Sequence, residues 1–306
     1  VDYPEYGERQ LKELGYKEGD LLISTTEGGE TSFVIGATEY AERNSSNKPW
    51  FLYCNPDQQL IGVERSRRVI ENEAINKINL AIGQMAIAGS TRMQASTVLM
   101  AAVGLALQED SQLDQFVQLV EETDFTFLQR FIEAEEKIYY NGEYLLYKTD
   151  HFGITVLTDT TERAPTFSLP SFENYFSPEQ PACLSYLMID GAKNTEEAWA
   201  QLLHREPRCI EWDEFKSFAG LANLYGYDIS ENIADLRKKK TGKSAEHVFE
   251  ITREEDQMCF RLGELEHKIS IKDQPLLFQH LLLKLLLNTH STLVMGRMGR
   301  YSGNLM

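Results

Sequence analysis

LLISTTEGGETSFVIGATEYAERNSSNKPWFLYCNP, residues 21–56, is the stretch on which the fold turns. A short apolar run, Leu21 to Ile23, gives way to hydroxyls, the pair Gly28-Gly29 and then Glu30-Thr31-Ser32. From Thr31 to about Arg43 the spacing of Phe33, Val34, Ala37, Tyr40 and Ala41 suits a helix. NSSNKP reads as a loop, and WFLYC (50–54) as a second buried strand ending in Asn55-Pro56-Asp57. Strand, helix and strand in this order predict a parallel pair joined by a right-handed crossover.

The loop between the first strand and its helix admits two readings. Thr31 or Ser32 can serve simply as a helix cap. Alternatively, glycines let the backbone approach a ligand, and hydroxyls and N–H groups at a helix start donate to phosphate oxygens, helped by the helix dipole. On that reading Thr26, Gly28, Gly29, Thr31 and Ser32 form a phosphate cradle. Gly89-Ser90-Thr91-Arg92, at the head of the Ala/Leu/Met-rich segment 93–108, repeats the pattern. Two such helix starts would meet at the carboxyl edge of a parallel sheet, where ligands of α/β folds bind.

Working outward, residues 5–15 suit a short amphipathic helix, and 109–137 an acidic helical stretch bridging two domains. YLLYK (144–148) starts a second strand–helix pattern, in which GITVLTD is a helix or a continuing strand and APTF a loop. PACLSYLMIDG holds another strand, followed by a helix from Thr195. Residues 213–250 read as helical and then basic, EDQMCFRLGELEHKISI as a hairpin, and 276–299 as a buried helix.

The totals bound the function. A chain of 306 residues that is 42% hydrophobic can bury a large core, and a net charge of −17 argues against nucleic acid or an anionic membrane as partner. No apolar stretch reaches the ~20 residues of a membrane span. Four isolated cysteines, 54, 183, 209 and 259, suit reduced thiols in a cytoplasm. The six histidines show no metal-ligand spacing, so neither a metal nor another cofactor is expected. Lys238-Lys239-Lys240-Thr241-Gly242-Lys243-Ser244 is no phosphate loop, because Arg237 stands where that motif needs its first glycine. Glu162, in TTERAPT (160–166), is a candidate general acid/base, or else the partner of Arg163 or another cation.

Together these segments resemble the sugar isomerase (SIS) domain family, in particular the N-acetylmuramic acid 6-phosphate etherases and the glucokinase regulatory proteins. STTEGGETSFVIGATEYA is similar to the etherase A-A-S-G-R-T-P-Y-V-x-G-A, and LYCNP (52–56) to its strand ending in C-N-P. AGSTRMQASTVLM resembles T-G-S-T-R-L-K-A-G-T-A-Q-K, and DTTERAPTF (159–167) resembles D-A-S-E-C-P-P-T-F. LLLNTHSTLVMGRMGRYSGNLM (285–306) is similar to the closing V-L-N-x-x-S-T helix with its G-N-L-M tail.

The resemblance implies a three-layer, flavodoxin-like α/β fold with parallel sheets flanked by helices. The order of the motifs implies two SIS-like units: the C-terminal part of a first domain in 1–115, a linking helix in 116–135, and a second, degenerate domain in 136–306. On this reading the first domain's G-T-S-G loop lies before Val1, while Lys148-Thr149-Asp150-His151-Phe152-Gly153 replaces that loop in the second. The implied function is binding of a hexose phosphate or amino-sugar phosphate as a sensor or regulator, on Thr26, Gly28, Gly29, Thr31, Ser32, Ser90, Thr91 and Arg92. A sugar kinase partner and a homodimer go with it. The alternative is an etherase-like lyase, in which Glu162 takes the acid/base role of lactyl-ether cleavage.

Overall fold

A computed structural model describes residues 2–108, 112–177, 179–242 and 245–305. The chain divides into two compact units, Val1–Glu109 and Asp110–Met306. Lys243 and Ser244 of the basic segment, residues 109–111 and the final Met306 lie outside the described residues.

Unit 1 runs α1 (Pro4–Glu13), β1 (Ile23–Thr25), α2 (Ser32–Asn44), β2 (Trp50–Tyr53), α3 (Asp57–Leu60), α4 (Glu64–Ile70), β3 (Asn76–Asn79) and α5 (Ala95–Leu107). Its three strands lie in the order β1-β2-β3, all parallel, with Ser24 opposite Phe51 and Leu52 opposite Ile78. β2 is apolar on both faces because alternate side chains enter different layers. Phe51 and Tyr53 pack with Ile35 of α2, Leu60 of α3 and Val69 of α4, while Leu52 and Cys54 pack with Ala95 and Leu99 of α5. The predicted parallel strand–helix–strand unit is therefore present, within a helix–sheet–helix sandwich.

Unit 2 comprises α6 (Leu113–Glu122), α7 (Leu128–Tyr140), β4 (Tyr144–Thr149), α8 (Gly153–Phe167), β5 (Ser185–Ile189), α9 (Thr195–Leu203), α10 (Lys216–Ala219), α11 (Leu221–Leu224), α12 (Ile233–Thr241), β6 (Glu246–Glu254), β7 (Gln257–Leu262), β8 (Leu265–Ser270) and α13 (Leu276–Arg297). The strand order is β5-β4-β6-β7-β8: the first three strands are parallel, and β7 and β8 extend them as an antiparallel meander. Both units thus have parallel-strand cores flanked by helices, an α/β architecture consistent with an SIS-type fold.

The structure departs from the sequence expectations at several places. The stretch 116–135, expected as one linking helix, falls on two helices, α6 and α7, on either side of a Asp124-centred turn in which Thr126 donates to the Asp124 carboxylate. APTF (164–167) is not a loop but the last turn of α8, which continues through Pro165 and stops at Ser168 in the left-handed region. Proline forfeits one amide donor there, while Thr166 and Phe167 are buried and hold the turn. Residues 246–250, read as part of a helical and basic stretch, begin the central strand β6, paired on both edges. Gly89-Ser90-Thr91-Arg92 is not a helix start: α5 begins at Ala95, and the intervening residues form a turn in which the Ser96 amide donates to the Thr91 carbonyl. No helix among the described residues is long and apolar enough to cross a membrane.

Candidate functional site

The carboxyl ends of β1 and β2 position the glycine loop. The Thr26 amide donates to the Leu52 carbonyl at 3.0 Å, so the loop leaves the sheet in register with β2. From there the hydrogen bonding is one-sided. The Glu27 carbonyl accepts from the Cys54 amide (3.0 Å) and the Gly28 carbonyl from Asn55 Nδ2 (3.0 Å). The Gly29 carbonyl accepts from Ser66 Oγ (2.8 Å), and that of Glu30 from Arg65 Nε (2.7 Å). The Thr31 carbonyl accepts from the Ile35 amide (3.0 Å) as the first helical bond. Every carbonyl from 27 to 31 is thus turned into the protein. Among the described residues, the backbone N–H groups of 27–34 donate no hydrogen bond.

Gly29 makes this possible. Its φ of +78° is in the region that L-residues avoid, and a Cβ there would stand 2.7 Å from Leu60 Cδ1. The loop backs directly onto Leu60 and Tyr53, and the strap from α4, through Ser66 and Arg65, fixes its peptide planes.

Capping does not account for the hydroxyls. Thr31 occupies the N-cap position of α2 but makes no side-chain cap bond; its Oγ1 lies 2.9 Å from Thr26 Oγ1 instead. The N–H groups of Ser32, Phe33 and Val34, which an α-helix cannot satisfy internally, add to those of the loop. Backbone amides in this arrangement, backed by a helix dipole, have the chemistry to donate to an anion.

The two loop carboxylates have different surroundings. Glu30 pairs with Arg65, whose Nη2 lies 3.1 Å from its Oε2. Glu27 reaches across to the segment before α5, accepting from Thr91 Oγ1 at 3.0 Å and from Ser96 Oγ in a shorter bond. Thr91 is therefore committed to an internal carboxylate, while Ser90 and Arg92 are both buried. The structure places all the sequence-predicted residues of 26–32 and 90–92 in unit 1, and the Glu27 contacts bring the two segments together. Arg65, Ser66 and Ser96 carried no signal in the sequence: the first two sit in a charged, mixed stretch, and the third in the first turn of an apolar helix.

Glu162 belongs to unit 2. It is half-buried in the middle of α8, not in a loop, and its neighbour Arg163 points elsewhere. Arg163, Glu135 and Asp159 are all buried. The Arg163 guanidinium donates to Asp159 Oδ2 (2.8 and 3.0 Å), Glu135 Oε1 (2.8 Å) and Tyr147 Oη (2.9 Å). Glu135 also accepts from Tyr139 (2.8 Å) and Tyr147 (2.7 Å), and its Oε2 lies 2.7 Å from His290 Nε2. Asp159 Oδ1 takes Asn288 Nδ2 (2.8 Å) and Ser291 Oγ (2.9 Å) from α13. Burial works against a charged Glu135, but Arg163 and His290 outweigh it and hold the carboxyl at about 2. The motifs DTTERAPTF and LNTHST, singled out separately in the sequence, thus meet in the core of unit 2 as a polar network that pins α7, β4, α8 and α13.

An α/β protein with an anion-suited loop at the carboxyl edge of a parallel sheet is the class that this geometry defines. No protein-family model matches the chain. It is similar to N-acetylmuramic acid 6-phosphate etherase 1 of Bacillus licheniformis, with 31% identity over 96 residues, covering 31% of this chain and 28% of that protein. It is likewise similar to the N-acetylmuramic acid 6-phosphate etherases of Rhodopirellula baltica (33% over 98 residues, 31% and 28% covered) and Salmonella paratyphi B (33% over 96 residues, 31% and 29% covered). The match thus spans less than a third of these relatives' length.

Proposed function

We propose that unit 1 binds the phosphoryl group of an amino-sugar phosphate of the N-acetylmuramic acid 6-phosphate kind, and that the chain works in etherase-type chemistry on such a sugar. The observation that carries the phosphate part is the one-sided loop: all carbonyls of 27–31 are bonded to the protein, while the amides of 27–34 donate no hydrogen bond among the described residues. The names of the relatives select the sugar and favour the etherase over a regulator. The ligand's phosphate would sit on the amides of Gly28 to Ser32, with the hydroxyls of Thr26, Thr31 and Ser32 as further donors; Ser90 and Arg92 would face its sugar side. In the etherase reading Glu162, which belongs to unit 2 and not to this cradle, is the candidate acid/base group, removing or returning a proton as the lactyl ether breaks. A kinase partner and a homodimer form no part of the proposal.

Incubating the protein with N-acetylmuramic acid 6-phosphate and assaying released D-lactate tests the reaction. Turnover that disappears in Glu162→Gln supports it; turnover unaffected by that change removes Glu162 from the mechanism. Binding without turnover is the second reading, favoured by the locking of Asp159 and Arg163, on either side of Glu162, into the structural network. Under either reading, Thr31→Val weakens binding of the sugar phosphate about ten- to a hundredfold, the loss of one hydrogen bond to a charged group. An unchanged affinity by calorimetry counts against the cradle.

A further inference from the structure

Glu27 has a place in the cradle that the phosphate reading leaves unused. Its carboxylate lies at the first turn of α5, held by the hydroxyls of Thr91 and Ser96. That is the second position at which the sequence suggested an anion. Glu30, three residues on, has its charge offset by Arg65. Among the described residues no ion pair joins Glu27; its carboxylate is held by the two hydroxyls, at the favourable end of the α5 dipole.

We infer that Glu27 is a specificity-determining residue: it fills the α5 start with an internal anion, so that the cradle accepts a sugar carrying one phosphoryl group and rejects one carrying two. The inference rests on the phosphosugar reading above. Two features of the chain give it its direction. The hydroxyl bonds fix the carboxylate in place, so it cannot swing away to make room for a second phosphoryl group. Glu27 also leads into the amide-rich loop, through a carbonyl tied to the Cys54 amide, while its carboxylate is turned to Thr91 and Ser96, so the fixed charge borders the cradle on the side where a second phosphoryl group would come. Like charges at such range repel strongly where water is partly excluded, and discrimination of this kind uses a repulsive group as well as attractive ones.

The test compares N-acetylglucosamine 6-phosphate with N-acetylglucosamine 1,6-bisphosphate, which differ only in the second phosphoryl group, by titration calorimetry on the full chain. The wild type is expected to prefer the monophosphate by about tenfold or more, the scale of one close like charge. Glu27→Gln keeps the side-chain shape and an acceptor for Thr91 and Ser96, and should bring the two affinities within about twofold of each other. Glu27→Ala should move the ratio the same way even if a looser loop lowers both affinities. A ratio unchanged in both variants, with monophosphate binding intact, overturns the role of Glu27 and leaves the phosphosugar reading standing. No binding of either ligand by wild type and variants overturns both.

Discussion

Each unit starts a helix at the carboxyl end of a parallel strand, and the two starts have opposite character. In unit 1, β1 opens into a loop whose carbonyls are all drawn into the protein and whose helix α2 is uncapped. In unit 2, β4 passes through Asp150, His151 and the buried Phe152 directly into α8. There Asp150 accepts from the amides of His151 and Arg253, and Lys148 is engaged by Asp190 (3.2 Å) and Glu250 (3.5 Å). Gly153, the first residue of α8, is overlaid by side chains: a Cβ would stand 2.7 Å from Leu202 Cδ1 and 2.9 Å from Ile189 Cδ1. The same supersecondary unit thus leaves a run of amides without internal partners among the described residues in one case, and an apolar, acid-lined closure in the other. A parallel strand–helix unit supplies the dipole; the residues between strand and helix decide whether a ligand can use it.

The contrast can be strained hardest in the core of unit 2. Arg163→Ala leaves Glu135 and Asp159 buried without their cation, and is expected to cost about 3–5 kcal/mol, read by urea denaturation. A loss below ~1 kcal/mol would show that the network is not what holds this unit together. Acid acts on the same group. The Glu135 carboxyl is held at about 2 in the folded chain against an ordinary 4.5. Its stabilising contribution is therefore complete above the unfolded value and is lost as pH falls from about 4.5 towards 2. Denaturation series between pH 7 and pH 2 should show this loss, and Glu135→Gln should flatten it.

In unit 1, Gly29→Ala places a side chain at positive φ against Leu60, at a cost of about 1–3 kcal/mol, and weakens phosphosugar binding with it. Ser66→Ala is milder: it releases the Gly29 carbonyl for about 1 kcal/mol and lowers sugar-phosphate affinity a few-fold, with Ser66→Thr restoring it. If Ser66→Ala lowers stability but leaves affinity untouched, the strap is structural only. The smallest effect is expected for Lys148→Ala at the closed edge of unit 2, which should leave phosphosugar affinity unchanged; a clear drop would place an anion site there after all.

Much of the frame was legible because the relevant signals are local. WFLYC is apolar at every position, as a strand buried on both faces must be, and Phe33, Val34 and Ala37 repeat at helical spacing. The boundaries that misled are equally physical. Pro165 suggested a loop, but tertiary burial of Thr166 and Phe167 carries the helix past it. Hydroxyls after Gly89 suggested a helix start, but Thr91 turns to Glu27 and the helix begins at Ala95. β6 begins just behind a basic helix, and the alternation of 246–254 shows its meaning only when β4 and β7 flank it.

By itself the sequence determined the parallel strand–helix–strand unit of residues 21–54 and located the glycine loop within it, because strand burial, helix periodicity and glycine preference are properties of neighbouring residues. Only the tertiary structure decided what that loop presents. Asn55, Arg65 and Ser66, up to 37 positions away along the chain, turn its carbonyls inward, and Glu27 closes on Thr91 and Ser96, 64 and 69 positions on. Peptide orientation in a loop depends on partners that the fold brings up from elsewhere, and no local pattern records them.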